Sequence, residues 1–414
     1  ATGRNDWDSR LAFSDYKSFF YPSIGLSAIL TSMFNAPDWL TYLKVRGSYT
    51  EVGNSYGRFM TTVTYPYDEQ TQSWTSTSSY PNTKLKPERT KSWEVGLDAR
   101  ILNDISLNLT YYRSNTYNQT FYADLSLSSG YSNIPIQSGN IMNEGLEMSL
   151  GYNKQWKDFS FNTNYTLTWN KNRVKRLADG VYNYATGQPI QMPELSPLTY
   201  GHTDARLILR VGGSMGDVYG QRLLKRDLNG YILNEEGVGL AMENKETYLG
   251  SILPKMNMGW SLGFGYKGVN LGMTFTGRFG GIVISETQSV LDAAGVSKVS
   301  ADVRDAGGVQ INQSKVSAQT YYQTIQGTAA YYTYSATNVR LGELSLSYTL
   351  PKKWFDNKVG MTVGLVGKNL WMIYCKAPFD PELTTSAASN FYQGFDAYML
   401  PSTRNFGFNV KFQF

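Results

Sequence analysis

The feature that most constrains the fold is a pattern that recurs along the whole chain, in which apolar and polar residues alternate. In SWEVGLDARI (92–101) the odd-numbered positions are apolar and the even-numbered ones are polar or glycine, and ISLNLTYY (105–112) continues the pattern after a short turn. Successive side chains of a strand point to opposite sides of a sheet, so each strand has one apolar and one polar face. The two segments are therefore predicted to form a β-hairpin.

Three further hairpins of the same kind follow, and long polar connections separate them. Their sequences are NEGLEMSLGY, the turn NKQWKD and FSFNTNYTLTW; MGWSLGFGY, the turn KG and VNLGMTFTG; and LGELSLSYTL, a turn at 351–357 and KVGMTVGLVG. The long connections lie at 54–90, 121–140, 175–255, 287–333 and 375–402. Alternation of short turns with long loops is typical of membrane β-barrels. About twelve spanning strands result, the first ending near Trp7, provided that 203–248 is a hairpin within one loop.

The predicted fold class is all-β, a transmembrane antiparallel β-barrel. The chain has no run of eighteen apolar residues that could form a membrane-spanning helix. Strands in lipid must pair every backbone polar group, so they close into a barrel. The alternative is a secreted sandwich or propeller, whose strands would also alternate. The regular order of loop lengths, and apolar faces long enough for the roughly nine to eleven residues that cross a bilayer, favour the barrel.

Composition excludes several other functions. Only 17% of the 414 residues are charged, and the net charge of +5 is not concentrated in any basic block, so nucleic-acid binding is not expected. The single cysteine, Cys375, cannot form an intrachain disulfide or a two-cysteine redox motif. We expect neither a cofactor nor redox chemistry.

Eleven segments, in order along the chain, carry a resemblance to a known family. They are TGRNDW (2–7), FFYPSIGLSAIL (19–30), LKVRGSYTEVGN (43–54), LKPERTKSWEVGLD (85–98), NLTYYRSNT (108–116), SGNIMNEGLEMSL (138–150), GRFGG (277–281), VRLGELSLSYTLPKKW (339–354), VGKNL (366–370), FDPEL (379–383) and PSTRNFGFNVKFQF (401–414). Together they resemble the C-terminal part of the barrel of SusC/RagA-type TonB-dependent transporters of the Bacteroidota outer membrane.

The resemblance implies more than residues 1–414 contain. Members of the family have a barrel of twenty-two strands, an N-terminal plug, a TonB box and a SusD-type lipoprotein over the extracellular mouth. This chain has about half of the strands, and neither a plug nor a TonB box is found in it. It is a fragment of a longer transporter, a twelve-stranded remnant, or a barrel completed by another chain. The first is favoured because TGRNDW belongs at the end of one strand in the family, and not at the start of a protein. The opening segment ATGRNDWDSR has no apolar stretch of a signal peptide, so a leader has been removed or the chain starts partway through a longer protein.

The last strand of the chain resembles the signal read by the outer-membrane assembly machinery, which recognises a terminal aromatic residue with further aromatic residues at alternate positions. The residues that would form this signal are Phe406, Phe408, Val410, Phe412 and Phe414. A strand that merely ends on phenylalanine is the alternative interpretation.

Two groups of residues are candidates for contact with a transported ligand. Glu94, Asp98 and Arg100 lie on the polar face and would line the lumen, where polar residues tune what passes; lumen ion pairs or plug contacts are an equal alternative. Loop tyrosines would stack on sugar rings, on peptide side chains or on the lid protein, although ordinary packing is an alternative. These tyrosines are Tyr321, Tyr322, Tyr331 and Tyr332.

Evidence for a metal or catalytic site is weak. In KRDLNGYILNEEG (225–237), Asp227, Asn229 and Glu236 occupy three ligand positions of a calcium loop, but a lysine stands at the first position. A hairpin with a type I′ turn at Asn229-Gly230 is the better interpretation. His202 is the only histidine, and a solvated loop residue is more plausible there than the base of a hydrolase.

The sequence therefore predicts a nutrient importer and not an enzyme. The resemblance implies TonB-dependent uptake of an oligosaccharide or oligopeptide, with a SusD-like surface lipoprotein as partner and with TonB contacted through an N-terminal part. Outer-membrane lipid would surround the barrel, and no nucleic acid would bind. The alternative is a structural or scaffolding barrel subunit of a larger outer-membrane complex.

Overall fold

The chain is described by a computed structural model over residues 1–137, 139–177, 194–235, 239–383, 385–386 and 390–414. The strands are β1 (Thr2–Trp7), β2 (Ser18–Ile29), β3 (Leu40–Asn54), β4 (Tyr67–Asp68), β5 (Ser73–Trp74), β6 (Glu88–Ile101), β7 (Ile105–Tyr117), β8 (Thr120–Asp124), β9 (Asn133–Gln137), β10 (Asn140–Trp156), β11 (Phe159–Arg176), β12 (Glu194–Thr199), β13 (Arg206–Arg210), β14 (Asp217–Leu224), β15 (Asn234–Glu235), β16 (Gly239–Leu240), β17 (Met242–Ser251), β18 (Met256–Tyr266), β19 (Val269–Phe279), β20 (Ile282–Ser285), β21 (Val309–Ile311), β22 (Ser314–Val316), β23 (Thr333–Ser335), β24 (Asn338–Leu350), β25 (Gly360–Cys375), β26 (Phe395–Asp396) and β27 (Asn405–Gln413). The α-helices are α1 (Leu30–Met33), α2 (Glu286–Ala293), α3 (Lys298–Asp305) and α4 (Ala318–Ile325). Short 3-10 helices lie at Ser9–Leu11, Leu127–Ser129, Ala329–Tyr331, Lys352–Phe355 and Asn390–Tyr392.

One sheet contains twelve of these strands and dominates the fold. Its order is β1-β2-β3-β6-β7-β10-β11-β18-β19-β24-β25-β27, so neighbours in the sheet follow one another along the chain. The predicted strand number is confirmed, and the first strand ends at Trp7 as predicted. No helix in the described part of the chain is long and apolar enough to cross a membrane.

Strand register keeps residues of one kind on one face. Across β3, β6 and β7, Val45 pairs with Leu97, which pairs with Leu109. In the adjacent row, Lys44 pairs with Asp98, which pairs with Asn108. A slip of one residue would reverse the two faces, so the alternating sequence fixes the register.

The short turns have the backbone that tight hairpins require. Between β18 and β19 only Lys267 and Gly268 intervene, and both have positive φ, at 45° and 87°, as in a type I′ turn. A Cβ on Gly268 would lie 2.7 Å from the carbonyl oxygen of Thr349, so a glycine is needed there. The turn predicted at 153–158 is shorter than expected, because β10 continues to Trp156.

The long connections contain ordered elements that the sequence pattern did not predict. Helices α2, α3 and α4 all lie between β19 and β24. Each begins at a serine N-cap, whose side chain accepts a hydrogen bond from the backbone three residues on; these caps are Ser285, Ser297 and Ser317. The capping signal was therefore present in the sequence.

Smaller sheets complete the long connections. Strands β12-β13-β14-β17 form a four-stranded sheet, so the segment 203–248, predicted as one hairpin, contributes several strands. Strand β20 pairs antiparallel with β23 and parallel with β26. These pairings connect residues that are distant in the sequence.

The chain divides into two compact units. The first comprises 1–151, 168–197 and 208–215, and the second comprises 152–167, 198–207 and 216–414. In the first unit, Leu11, Phe19, Tyr56 and Leu85 form a small buried cluster. The second unit contains two larger clusters, one around Tyr200, Leu207 and Ile284 and the other around Leu224, Tyr322 and Tyr332.

Candidate functional site

A charged cluster occupies the polar face of the sheet where β3, β6 and β7 pair. Arg46 Nη1 lies 3.1 Å from Asp98 Oδ2, and Arg46 Nη2 donates to Thr110 Oγ1 at 2.5 Å. The strand position opposite Arg46 is Gly96, where a Cβ would lie 2.5 Å from Arg46 Nε. The missing side chain of Gly96 therefore lets the arginine side chain lie across β6.

Asp98 is the centre of this cluster. In addition to Arg46, Lys44 Nζ lies 3.7 Å from Asp98 Oδ2, and Asn108 Nδ2 donates to Asp98 Oδ1. All these side chains remain partly exposed, so each ion pair contributes modestly to stability. Their main effect is to hold charges of both signs in defined positions on the polar face.

The three residues predicted to line a lumen differ from one another in their surroundings. Glu94 lies with Lys44 and Arg46 around a depression of about 250 Å³. The guanidinium of Arg100 lies instead 6.0 Å from the ring centre of Tyr42. The structure thus brings Glu94 and Asp98 into one polar surface, and their role in lining a lumen stays a prediction.

Sequence reasoning missed Lys44 and Arg46, although a signal for them was present. Both alternate with Leu43 and Val45 in the segment LKVRGSY, as the polar face of a strand requires. Which acidic residue they would meet depended on the register between β3 and β6, and only the paired sheet shows it.

The four loop tyrosines lie in a packed environment. Tyr322 and Tyr332 belong to a buried cluster, and Tyr321 and Tyr331 pack against it. The Tyr331 hydroxyl accepts a hydrogen bond from the backbone of Leu224 at 3.1 Å. These surroundings agree with the alternative interpretation, in which the tyrosines pack within the protein. Contact of the four residues with a ligand or lid stays a prediction.

The calcium-loop candidate forms a turn. The Asp227 side chain accepts hydrogen bonds from the backbone N–H groups of Asn229 and Tyr231, both at 2.9 Å. Gly230 has a φ of +86°, but Asn229 does not share it, so the predicted type I′ turn is wrong. The backbone N–H of Gly230 bonds to the carbonyl of Asp227 instead, which places the turn one residue earlier. Glu236 lies outside the described residues.

The carboxylate of Asp204, which lies two residues from His202 in the sequence, binds backbone groups of the surrounding loops. The two oxygens of Asp204 accept backbone hydrogen bonds from Gln221, Arg222 and Ala329, at 2.6 to 3.0 Å. Asp204 therefore fixes the loop backbone. Among the described residues, no three histidine, cysteine, aspartate or glutamate side chains are grouped so that they could hold a metal ion.

The C-terminal strand pairs along its full length with β25. The side chains of the predicted assembly signal are exposed, and they are Phe406, Phe408, Val410, Phe412 and Phe414. Recognition of this strand by an assembly machinery stays a prediction, and the exposed apolar row is what such recognition would need.

A buried ion-pair network was not predicted. Arg340, at the start of β24, forms a bidentate pair with Asp380, with distances of 2.8 and 2.9 Å. Asn338 accepts hydrogen bonds from Arg340 and donates to Glu382 Oε1 at 3.0 Å. Burial acts to raise the pKa of Asp380, but hydrogen bonds from Arg340, from the Glu382 backbone and from Ser402, together with the positive charge of Arg340, outweigh it. They hold that pKa below its usual value. We call these four residues the Arg340 network.

Comparison with known proteins confirms the fold. Residues 1–370 match the family described as "TonB dependent receptor-like, beta-barrel". The TonB-dependent receptor P3 of Formosa agariphila is 25% identical over 450 aligned residues, which cover 99% of this chain and 43% of that protein. The TonB-dependent receptor SusC of Bacteroides thetaiotaomicron is 27% identical over 154 residues, 36% of this chain and 14% of that protein.

Two solved structures share the architecture. The RagAB peptide importer in its open-open state has a TM-score of 0.71 at 21% identity, over 99% of this chain and 44% of that chain. The RagAB peptide transporter gives a TM-score of 0.72 at 20% identity, with 99% and 45% covered. The chain thus spans less than half the length of these proteins.

The predicted fold class, the resemblance and the predicted location in the outer membrane are all confirmed. The family is one of receptors and transporters and not of enzymes. This chain belongs to the TonB-dependent receptor-like β-barrel family.

Proposed function

We propose that this chain is the C-terminal part of the barrel of a TonB-dependent nutrient importer, which takes up an oligosaccharide or oligopeptide together with a SusD-like surface lipoprotein. The observation that carries the proposal is the family match over residues 1–370. The RagAB relatives are a peptide importer by name, and SusC is a TonB-dependent receptor. The polar and apolar faces of the sheet support the proposal, because a barrel that conducts a polar nutrient needs both.

The proposal includes a plug and a TonB box in a preceding part of the same polypeptide. Supporting it, the matched relatives are more than twice as long as this chain. Mass spectrometry of the denatured protein from purified outer membranes, with its N-terminal sequence, tests this directly. A mass well above 46.5 kDa, with residues before Ala1, is expected. A protein of 46.5 kDa that begins at Ala1 would contradict plug-gated import by this chain.

Transport itself is tested in cells that carry the full-length gene. Uptake of labelled neutral oligosaccharides and of labelled oligopeptides is measured with and without the gene, and again after deletion of TonB. We expect uptake of one of these classes to require both proteins. If uptake is unchanged without the gene, while other outer-membrane complexes lose subunits, the scaffolding alternative is supported and import is rejected.

The polar surface around Asp98 offers a test within the chain. Asp98→Asn removes the charge that Arg46 and Lys44 share, so we expect altered uptake at an unchanged amount of protein in the outer membrane. The matched control is Asp158→Asn, because Asp158 is exposed in a short turn and has only a weak pair with Lys267 at 3.9 Å. Equal uptake by the two variants would remove Asp98 from the transport path.

The proposed lid partner is tested by purification of the tagged full-length protein in mild detergent. A surface lipoprotein should copurify in a defined ratio. A preparation that imports ligand after reconstitution but contains no lipoprotein would reject the partner without rejecting import.

A further inference from the structure

A cavity of about 470 Å³ lies among the ends of helices α2, α3 and α4. Its volume falls within the roughly 300–1,000 Å³ of small-molecule sites. The floor contains the buried residues Asp292, Ser300 and Tyr322, and the exposed side chains of Gln319 and Gln323 form part of the rim. The cavity therefore has a buried polar base and an open polar mouth.

Only one of the two oxygens of the Asp292 carboxylate accepts hydrogen bonds from the described residues. Asp292 is only 5% exposed, and its Oδ1 accepts hydrogen bonds from Gln288 Nε2, at 2.7 Å, and from the Ser297 hydroxyl. Within the described residues, Oδ2 has no hydrogen-bond donor, and it is not among the fully enclosed unpaired atoms. This oxygen is therefore open to a donor placed in the cavity.

The Tyr322 hydroxyl is a second open group. Tyr322 is 7% exposed, and none of the described residues hydrogen-bonds its hydroxyl, which is also absent from the fully enclosed atoms. Burial and the nearby Asp292 carboxylate raise the pKa of Tyr322, so the hydroxyl stays protonated and can donate as well as accept. By contrast, the Ser300 hydroxyl bonds to Ser297 and is already satisfied.

The cavity has a negative charge at its floor and a positive charge at its rim. Asp292 lies in the last turn of α2, where the helix dipole is negative, so an anionic ligand is disfavoured at the floor. At the rim Arg304 donates to the carbonyl of Gly295 at 3.2 Å, and its positive charge disfavours a cation. A neutral ligand with many hydroxyl groups suits both, since it can donate to Asp292 and accept from Tyr322 and the rim amides.

We propose that this cavity binds a neutral, hydroxyl-rich ligand, with Asp292 and Tyr322 as its floor contacts. A sugar residue of an oligosaccharide has this chemistry. The identification of that sugar with the imported nutrient rests on the proposed function, whereas binding in the cavity does not require transport.

The test is calorimetric titration of the full-length protein, purified in detergent, with a panel of neutral α- and β-glucans, galactans, mannans and xylans. Parallel titrations use putrescine, uronic-acid oligosaccharides and dipeptides. We expect a neutral oligosaccharide to bind. Binding of only the cationic, anionic or zwitterionic probes would overturn the proposal, and so would binding of none of the probes.

Four variants locate the binding site. Asp292→Asn keeps the shape and the Oδ1 contacts but removes the charge, so affinity should fall about tenfold, as for loss of a charge-assisted hydrogen bond. Tyr322→Phe should weaken binding about threefold to tenfold, because it loses a neutral hydrogen bond. The matched controls are Asp158→Asn and Tyr231→Phe, both at exposed residues outside the cavity, and they should bind as the unmodified protein does.

A blocking variant covers the case in which Asp292 or Tyr322 is needed for folding. Ala294→Leu fills the cavity from its wall and leaves the floor contacts in place, so it should abolish binding. Normal affinity in Ala294→Leu, Asp292→Asn and Tyr322→Phe would show that the sugar binds elsewhere. Uptake assays on the same variants separate the two proposals: binding without TonB-dependent uptake rejects only the proposed function.

Discussion

Two regions of the second unit differ in the exposure of their apolar side chains. In the sheet, Leu365 of β25 is 63% exposed and Phe408 of β27 is 78% exposed. In the loop region, which comprises 198–207, 216–235, 239–255, 282–335 and 390–400, Leu207 and Ile284 are fully buried. The hydrophobic effect acts on both regions. The loop region buries its apolar side chains within the protein, whereas we predict that lipid covers those of the sheet.

The difference explains why the two regions differ in predictability. A strand that faces lipid needs only the correct alternation, because any apolar side chain suits an apolar solvent. A core in an aqueous loop needs particular side chains to fit together at high packing density. The Arg340 network joins the sheet to a loop, because Arg340 lies on strand β24 and Asp380 lies in the connection after β25.

The largest expected effect is at this network. Arg340→Gln leaves Asp380 buried without its cation and should destabilise residues 377–383 by about 3–5 kcal/mol, as for a broken buried ion pair. Hydrogen–deuterium exchange of that segment measures the effect. The control is Lys298→Gln, which breaks an exposed helical pair with Asp302 and should change stability by no more than about 0.5 kcal/mol. Similar exchange in both variants would show that the network is not stabilising.

The core of the loop region comes next. Leu207→Ala creates a cavity at a fully buried site and should cost about 2–5 kcal/mol of local stability. The matched variant Leu228→Ala changes a fully exposed leucine of the same region and should be nearly neutral. Limited proteolysis of the intact protein compares them. Equal cleavage would mean that this region is not held by its core.

The lipid-facing surface gives the third comparison. Leu346→Lys places a charge on the apolar face of β24 and should destabilise the barrel by about 2–4 kcal/mol if the residue lies near the bilayer midplane. Its neighbour on the other face is tested as Ser345→Lys, which should have a much smaller effect. Urea unfolding in lipid vesicles measures both. A larger loss in Ser345→Lys would reverse the assignment of the two faces.

The smallest effect is the response of the Arg340 network to pH. The pKa of Asp380 is lower in the folded protein than in the unfolded chain, where it is about 3.9. The stability that it contributes is therefore fully present above about pH 4 and is lost as the pH falls below that value. Exchange protection of 377–383, corrected for the intrinsic rate, should fall below about pH 4. The Arg340→Gln variant should show a weaker pH dependence, and an equal one would assign the effect to another group.

Much of the sheet was predictable from the sequence, and most contacts of the candidate sites were not. The alternation of Val95 and Leu97 with Glu94 and Asp98 predicted which residues share a face, because strand geometry has a period of two. The partner of Asp98 was not predictable, since Arg46 lies on another strand and meets it only in the observed register. The three serine N-caps of the loop helices are present in the sequence. The helices were not predicted, because this part of the chain was interpreted as a long polar connection.

The sequence by itself therefore determined the twelve strands, their two faces and the tight turn at Lys267-Gly268, because all of these depend on neighbours within a few residues. Tertiary structure decided the pairing of Arg340 with Asp380, the packing of the loop tyrosines and the open carboxylate of Asp292. These contacts join residues on different elements, and their energies depend on burial and on distances that no local pattern specifies.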